Sequence, residues 1–218
     1  MPRVLTTAAL APIVLAPIVL ASSVLALSAL AAAAAQPPKA GHKPAGATAP
    51  AAAPVWIVDK AASRLSFRAS ANGEGFDGVF KTWDAQIAFD PKNLKASHAM
   101  VTVTMASVVT GDPTRDQMLP TPDWFDVGKF SKSTFDTTSI TQASPDHFVA
   151  NGTLTMHGVK RQVTLPFTLT FDKDVAKMDG TTTLNRMDYS LGHGQAGGPE
   201  TVAPQVTVTV KLTAHKAH

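Results

Sequence analysis

Cysteine is absent from all 218 residues. Disulfide staples are therefore excluded, and a hydrophobic core must hold the fold unaided even if the chain is exported. Thiolate nucleophiles and cysteine-based metal sites are excluded with them. Charge is scarce as well: after Arg3 no charged residue follows until Lys39. The 19 Lys and Arg face 16 Asp and Glu without a basic run or stripe, so the expectation is a soluble surface of mixed charge and no nucleic-acid partner. His98, His147, His157 and His193 are scattered and lack ligand spacing such as H-x-x-x-H, so no metal site is expected. No serine lies in a G-x-S-x-G context, which leaves no candidate nucleophile. Asp123 and Asp126, three residues apart, fit dipole complementation of a first helical turn better than an acid–base pair. Two literal G-x-G-x-x-G matches, at Gly73, Gly75, Gly78 and at Gly192, Gly194, Gly197, open no helix and read as hairpin or rim loops. No catalytic residue and no cofactor are expected.

What is present first is a long apolar run. Val4–Ala35 is almost wholly Ala, Leu, Val and Ile behind the basic Arg3, and it ends in alanines rich in A-x-A sites. Those are the parts of a secretory signal peptide, assigned to residues 1–35. The run is also long enough for an uncleaved membrane anchor, although Pro12 and Pro17 weaken a straight spanning helix. Residues 36–54 are Pro, Ala and Gly with few branched or aromatic side chains, the composition of a disordered tether. The folded domain is expected over 55–213, with a short tail at 214–218 and a periplasmic or secreted location.

Within that domain, period-two alternation dominates. Leu65, Phe67 and Ala69 alternate with Ser66, Arg68 and Ser70. Val163, Leu165, Phe167, Leu169 and Phe171 do the same, as do Val206, Val208, Val210 and Leu212. Such alternation turns one face of each strand indoors and the other to water. Further strands are predicted over 80–89, 99–109, 133–140, 147–156 and 177–188, with turns at Asp90–Asn93, Ser144–Asp146, His157–Gly158 and Asp172–Asp174. The fold class is all-β. About eight sequential strands suggest an antiparallel meander closed into a barrel, whose interior can hold one slender ligand, with a two-sheet sandwich as the competing architecture.

Residues 110–130 (TGDPTRDQMLPTPDWFDVGKF) break the alternation. Asp112-Pro113 and Thr121-Pro122 both read as an N-cap followed by a first helical residue, and Gly128 as a stop. The apolar sides of these turns carry Met118, Leu119, Trp124 and Phe125, which either face a ligand or plug one end of the core. Beside them, Arg115 could hold an anionic or carbonyl head group with Asp116 orienting it, or the pair could fix the lid locally.

An ordered set of segments resembles the YceI-like family of periplasmic polyisoprenoid- or lipid-binding proteins. The set begins with Trp56-x-Val58-Asp59, Ser63-x-Leu65-x-Phe67, Gly78-Val79-Phe80 and Ile87-x-Phe89-Asp90-Pro91. Ser107 and Thr110, Arg115-Asp116-x-x-Leu119, Asp123-x-Phe125-Asp126, Phe130 and Phe135 follow. Gly152-x-Leu154-Thr155-Met156-His157-Gly158-Val159 and Asn185-Arg186-x-Asp188-Tyr189 complete it. The chain departs from the family pattern in the doubled aromatic Trp124-Phe125 and in Ser190, where a glycine is usual.

The resemblance implies a lipocalin-like antiparallel barrel of about eight strands with a short helical insertion. It further implies an apolar tunnel for a long isoprenoid-type chain, a polyprenyl lipid or a quinone, with transient membrane contact and a monomer or homodimer as partner expectations. Burying each methylene contributes roughly 0.8 kcal/mol, so such a tunnel needs few polar contacts. The candidate ligand residues are Phe67, Phe80, Trp83, Met105, Arg115, Met118, Leu119, Trp124, Phe125, Phe135 and Met156, with ordinary core packing as the alternative for each. Two rival functions remain open. One is an enzyme on an apolar substrate using Arg115, Asp116 and His157; the other is an interaction module whose barrel is filled by its own side chains.

Overall fold

The structure is a computed structural model that describes residues 52–194, 197–198 and 200–218. The expected signal peptide, and the expected linker as far as residue 51, lie outside the described residues. Eleven strands follow in chain order: β1 (Val55–Val58), β2 (Arg64–Ala71), β3 (Glu74–Phe80), β4 (Trp83–Ala88), β5 (His98–Thr104), β6 (Val108–Val109), β7 (Lys132–Ser144), β8 (His147–Met156), β9 (Val159–Asp172), β10 (Val175–Asn185) and β11 (Gln205–Lys216). One α-helix, α1 (Pro113–Met118), and short 3-10 turns at Leu94–Ala96, Met105–Ser107 and Arg186–Tyr189 complete the described elements.

Six of these strands are halves of three interrupted ones. β2 pairs with β3 and β1 with β4, while β4 pairs with β5 and β3 with β6, all antiparallel. The ladder crosses one break through Lys81 N–H donating to Ser107 O at 3.1 Å and Thr104 N–H to Thr82 O at 3.0 Å. Counted this way the sheet is a closed barrel of 8 antiparallel strands, each beside its chain neighbour. β11 closes it, giving one edge to β10 and sharing the other between β2 and β1.

The local causes are those the alternation implies. Leu65, Phe67 and Ala69 of β2 and Leu165, Phe167 and Leu169 of β9 are buried, while Arg64, Arg68, Thr164 and Thr168 are exposed. The β8–β9 hairpin turns at His157 (φ 50°) and Gly158 (φ 74°), two successive left-handed residues whose twist suits a two-residue hairpin. Gly75 and Gly78 were expected in a hairpin or rim loop and instead lie inside β3. Gly78 is needed there because a Cβ would collide with the Phe67 ring of the neighbouring strand.

Several boundaries differ from expectation. The strand expected over 99–109 is broken by the 3-10 turn Met105–Ser107, the one expected over 80–89 begins only at Trp83, and the one expected over 133–140 runs on to Ser144. β10 stops at Asn185, because Arg186–Tyr189 coils into a 3-10 turn with the Asn185 side chain accepting from Met187 N–H. The domain begins before Val55, since Ala53 is buried and Pro54 O accepts from Phe89 N–H at 2.9 Å. It also continues past Thr213, with Ala214 buried in β11. Pairing with neighbours, invisible to a pattern search, extends both ends.

Two apolar clusters occupy opposite ends of the barrel. One gathers Trp56, Phe89, Ile140, Phe148, Ala150, Leu165, Phe167, Leu169, Ala176 and Ala214. The other joins Phe67, Ala69, Met105 and Val108 to Leu119, Trp124, Phe125, Tyr189, Leu191 and Val202, with Met118 packed against them. Asp112 caps α1 by accepting from Arg115 N–H at 3.0 Å. The predicted second helical start at Thr121-Pro122 yields only turns, because Asp126 takes a left-handed φ of 44° and its N–H returns to Thr121 O. The passage is a plug. Trp124 and Phe125 fill the end of the core, so Trp124→Ala and Phe125→Ala should each lower unfolding free energy by about 3–5 kcal/mol in denaturant titration.

Candidate functional site

Inside the barrel the inward faces do not fully meet, and most of the first cluster forms the wall of the space between them. They leave a cavity of about 240 Å³ walled by all eight strands. One water needs about 10–15 Å³ on this scale, so the hollow far exceeds an ordinary packing defect. Its lining is apolar except for His98, Ser133, Thr134, Thr137 and Thr182. At the end away from the plug the wall is aromatic: Trp56, Phe89, Phe167 and Phe171 line it, with Phe148 packed behind them. Ring centroids lie 5.5–6.3 Å apart, and Trp56 Nε1–H donates to Phe89 O at 2.9 Å. An indole whose one polar group is satisfied inside the fold presents an apolar face to the hollow.

The ladder between β9 and β10 is incomplete. Their ladder runs from Val175↔Asp172 to Gly180↔Phe167 and stops, while β9 stays paired with β8 and β10 with β11. Beyond it, Thr182 Oγ1–H donates to Thr164 O at 2.9 Å across the separation. Val163, Thr182 and Leu184, on its two sides, belong to the cavity lining.

Of the eleven residues nominated from sequence, Phe80, Trp83, Met105, Phe135 and Met156 line the cavity. Phe67, Leu119, Trp124 and Phe125 lie in the plug cluster with Met118 against it, so the lid aromatics are placed as core. Arg115 is also outside the lining. Its guanidinium stacks 4.3 Å from the Phe76 ring, lies 3.6 Å from Asp112 and donates through Nε to Thr110 Oγ1. Asp116 accepts from both the hydroxyl and the N–H of Thr110, at 2.7 Å each, and the hydroxyl bond first of all holds its carboxyl below the ordinary value. These two charges fix the start of α1. His157 bonds through Nδ1 to Tyr189 O at 3.0 Å and packs on Phe130, so Arg115, Asp116 and His157 do not converge on the hollow. Asp123 and Asp126 are not a pair either: Asp126 is held by Lys129 at 3.0 Å, and Asp123 O accepts from Gly192 N–H.

Sequence reasoning missed the aromatic end. Phe167 and Phe171 were already on the indoor face of a predicted strand, and that alternation was the available signal. It also missed the role of Arg186, which is 3% exposed. Its guanidinium donates to five backbone carbonyls, those of Ala203, Leu191, Gly192, Gly197 and Val202, and sits 5.5 Å from the Trp124 ring centroid. Burial pulls its pKa below the usual value, yet guanidinium remains a cation at neutral pH. It ties the chain after Tyr189 down over the plug.

A closed antiparallel barrel around an apolar hollow is the architecture of proteins that enclose an apolar ligand. This chain belongs to the YceI-like family: the family model described as YceI-like domain matches residues 56–214. A UPF0312 protein of Pseudomonas savastanoi pv. phaseolicola is 30% identical over 145 residues, covering 62% of this chain and 76% of that one. Among solved structures, Burkholderia cenocepacia BcnA superposes with a TM-score of 0.69 at 28% identity, covering 72% of this chain and 98% of its own. A polyisoprenoid binding domain from Saccharophagus degradans, implicated in plant cell wall breakdown, has a TM-score of 0.61 at 17% identity, covering 75% and 99%, and shares the fold.

Tyr189 offers a clean probe of the plug, being the single tyrosine of the chain. It is 2% exposed, and burial raises its pKa above 10.0. The folded state thus favours the neutral phenol. Stability from this group is complete below the unfolded value and is lost as pH rises through the raised folded one. Tyrosinate absorbance should therefore titrate later in the folded chain than in denaturant, and Tyr189→Phe should flatten the alkaline loss of stability.

Proposed function

We propose that this protein is an exported carrier that holds a long isoprenoid-type chain, a polyprenyl lipid or a quinone, in the barrel cavity and catalyses nothing. The observation that carries this reading is the cavity itself, a hollow of about 240 Å³ whose lining is apolar apart from five side chains. A lipid tail loses its aqueous penalty at roughly 0.8 kcal/mol per methylene there, so binding needs no array of polar groups. Polyisoprenoid binding is named for the Saccharophagus degradans neighbour, which supports the same ligand class here. The basic, apolar and small-residue order of residues 1–35 supports export and a periplasmic or secreted location. Delivery or collection of such a chain calls for transient membrane contact by a monomer or homodimer.

Native mass spectrometry of the full chain purified from its host tests the reading. A co-purifying apolar ligand, or uptake of a prenyl quinone by the stripped protein, is expected; absence of both sinks it. Leu154→Trp, on the cavity wall, should cut uptake about tenfold or more by filling the hollow while melting stays within a few degrees. Equal loss of uptake and stability would mean that Leu154 is ordinary core.

A further inference from the structure

Pro166 is the single proline within the described strands, and it stands midway along the 14 residues of β9. Proline has no N–H to give a ladder, so its place inside a sheet is restricted. Successive residues of a strand turn their backbone polar groups to opposite edges. Leu169 N–H donates to Asp146 O on the β8 side at 2.9 Å, whereas Thr164 O accepts from Thr182 of β10. The β8–β9 register is unbroken, so odd residues of β9 address β8 and even residues address β10. Pro166 therefore keeps its place opposite Val149 of β8, and the donor it lacks is one that β10 would have received.

The consequence is a seam. After Thr168↔Asp179 the next rung would join Pro166 to Thr181, and pairing stops between them, at Gly180↔Phe167. Thr181 and Thr183 lie beyond the last rung and are exposed, which leaves their β9-facing backbone groups to water. Among the described residues, one hydrogen bond spans 159–166 and 181–185, from Thr182 Oγ1–H to Thr164 O at 2.9 Å. The bond of His157 Nδ1 to Tyr189 O at 3.0 Å marks the far end of the slot. Val163 and Leu165 on one side and Leu184 on the other line the cavity, so apolar side chains border the seam from within. Other parts of the wall are held by more. β1 pairs with β4 only through Val55 and Trp56, yet Lys60 Nζ bridges the gap beyond, donating to Trp83 O at 2.8 Å and pairing with Asp84 at 2.9 Å. Arg186 ties the plug end through five carbonyls, and ring packing holds the opposite end.

We propose that the seam between β9 and β10 is a side gate through which an apolar chain enters and leaves the cavity, and that Pro166 keeps it openable by withholding a rung. The gate rests on the carrier reading and adds the route by which the cavity is filled. Opening requires the loss of a single hydroxyl bond. No backbone rung has to break, because β9 stays on β8 and β10 stays on β11. Hydrocarbon passing there meets Val163, Leu165 and Leu184. With an N–H at position 166 the ladder would run on past Gly180 and hold the two strands together.

Stopped-flow fluorescence of N-phenylnaphthylamine, which brightens on leaving water, measures entry into and exit from the purified full chain. A gate sets the barrier and not the end states, so both rates should change together while Kd holds. Pro166→Val lies outside the cavity lining; it should slow both rates about tenfold and protect the Thr181 amide from hydrogen exchange. Because the chain has no cysteine, Thr164→Cys with Thr183→Cys, both at exposed positions, can be bridged selectively by a bismaleimide with a cleavable disulfide spacer. Bridging should slow entry and exit about tenfold or more relative to the same variant capped with N-ethylmaleimide, and a reductant should restore both. A bridged protein that exchanges probe as fast as the capped one overturns the gate while leaving the carrier intact. Protection of Thr181 in Pro166→Val with no change in either rate does the same. Uptake of no probe by the wild type overturns both.

Discussion

The structure depends on what β11 does with its two edges. One edge is spent along its length on β10; the other is divided, with Thr207–Lys211 on β2 and Ala214–Lys216 on β1. That division brings the last strand back to the first and removes the sheet's free edges. Once the sheet is closed, its radius follows from strand number and stagger rather than from side-chain size. The inward residues of eight strands then pack against the plug at one end and line a hollow they do not fill. The cavity follows from closure, and no special residue had to be placed to make it.

Closure leaves two ends, and different physics organises them. Trp56 and four phenylalanines cover one by ring packing. At the other, Leu119, Trp124 and Phe125 of residues 110–130 pack into the core, and Arg186 lies against Trp124 and holds the chain following Tyr189. A cation in that place has no carboxylate partner among the described residues, and five backbone carbonyls stand in for one. Those carbonyls belong to an irregular segment that would otherwise be buried without donors. The guanidinium fork satisfies them together, which a lysine ammonium could not match in number or geometry. One buried charge and one irregular loop thus each remove the other's penalty.

Much of this was legible before any coordinates. Period-two runs such as Val163–Phe171 announced strands with one indoor face, and His157-Gly158 announced a two-residue hairpin. Asp112-Pro113 announced the start of α1. The candidate site was only half legible. Phe80, Trp83, Met105, Phe135 and Met156 line the cavity, whereas Phe67, Met118, Leu119, Trp124 and Phe125 belong to the plug or pack against it. An aromatic side chain obeys the same rule, burial, in either setting, so the pattern cannot distinguish wall from core. Arg115 drew notice as a charge among apolar residues, yet its partners Phe76 and Thr110 hold it outside the cavity. Arg186, which matters more, sat inside a recognised segment with nothing local to mark it as buried.

By itself the sequence determined the all-β class, the order of strands, the turns between them and the absence of disulfides and thiol chemistry. These are short-range properties, set by side-chain alternation and backbone preference within a few residues. Tertiary structure alone decided that the sheet closes, that its middle stays hollow, that β9 and β10 part company after Gly180, and that Ser133 is left without a partner. Those outcomes depend on which strands meet and at what stagger. Contacts between residues as distant as Ser66 and Thr209 carry that information, and no window along the chain contains both.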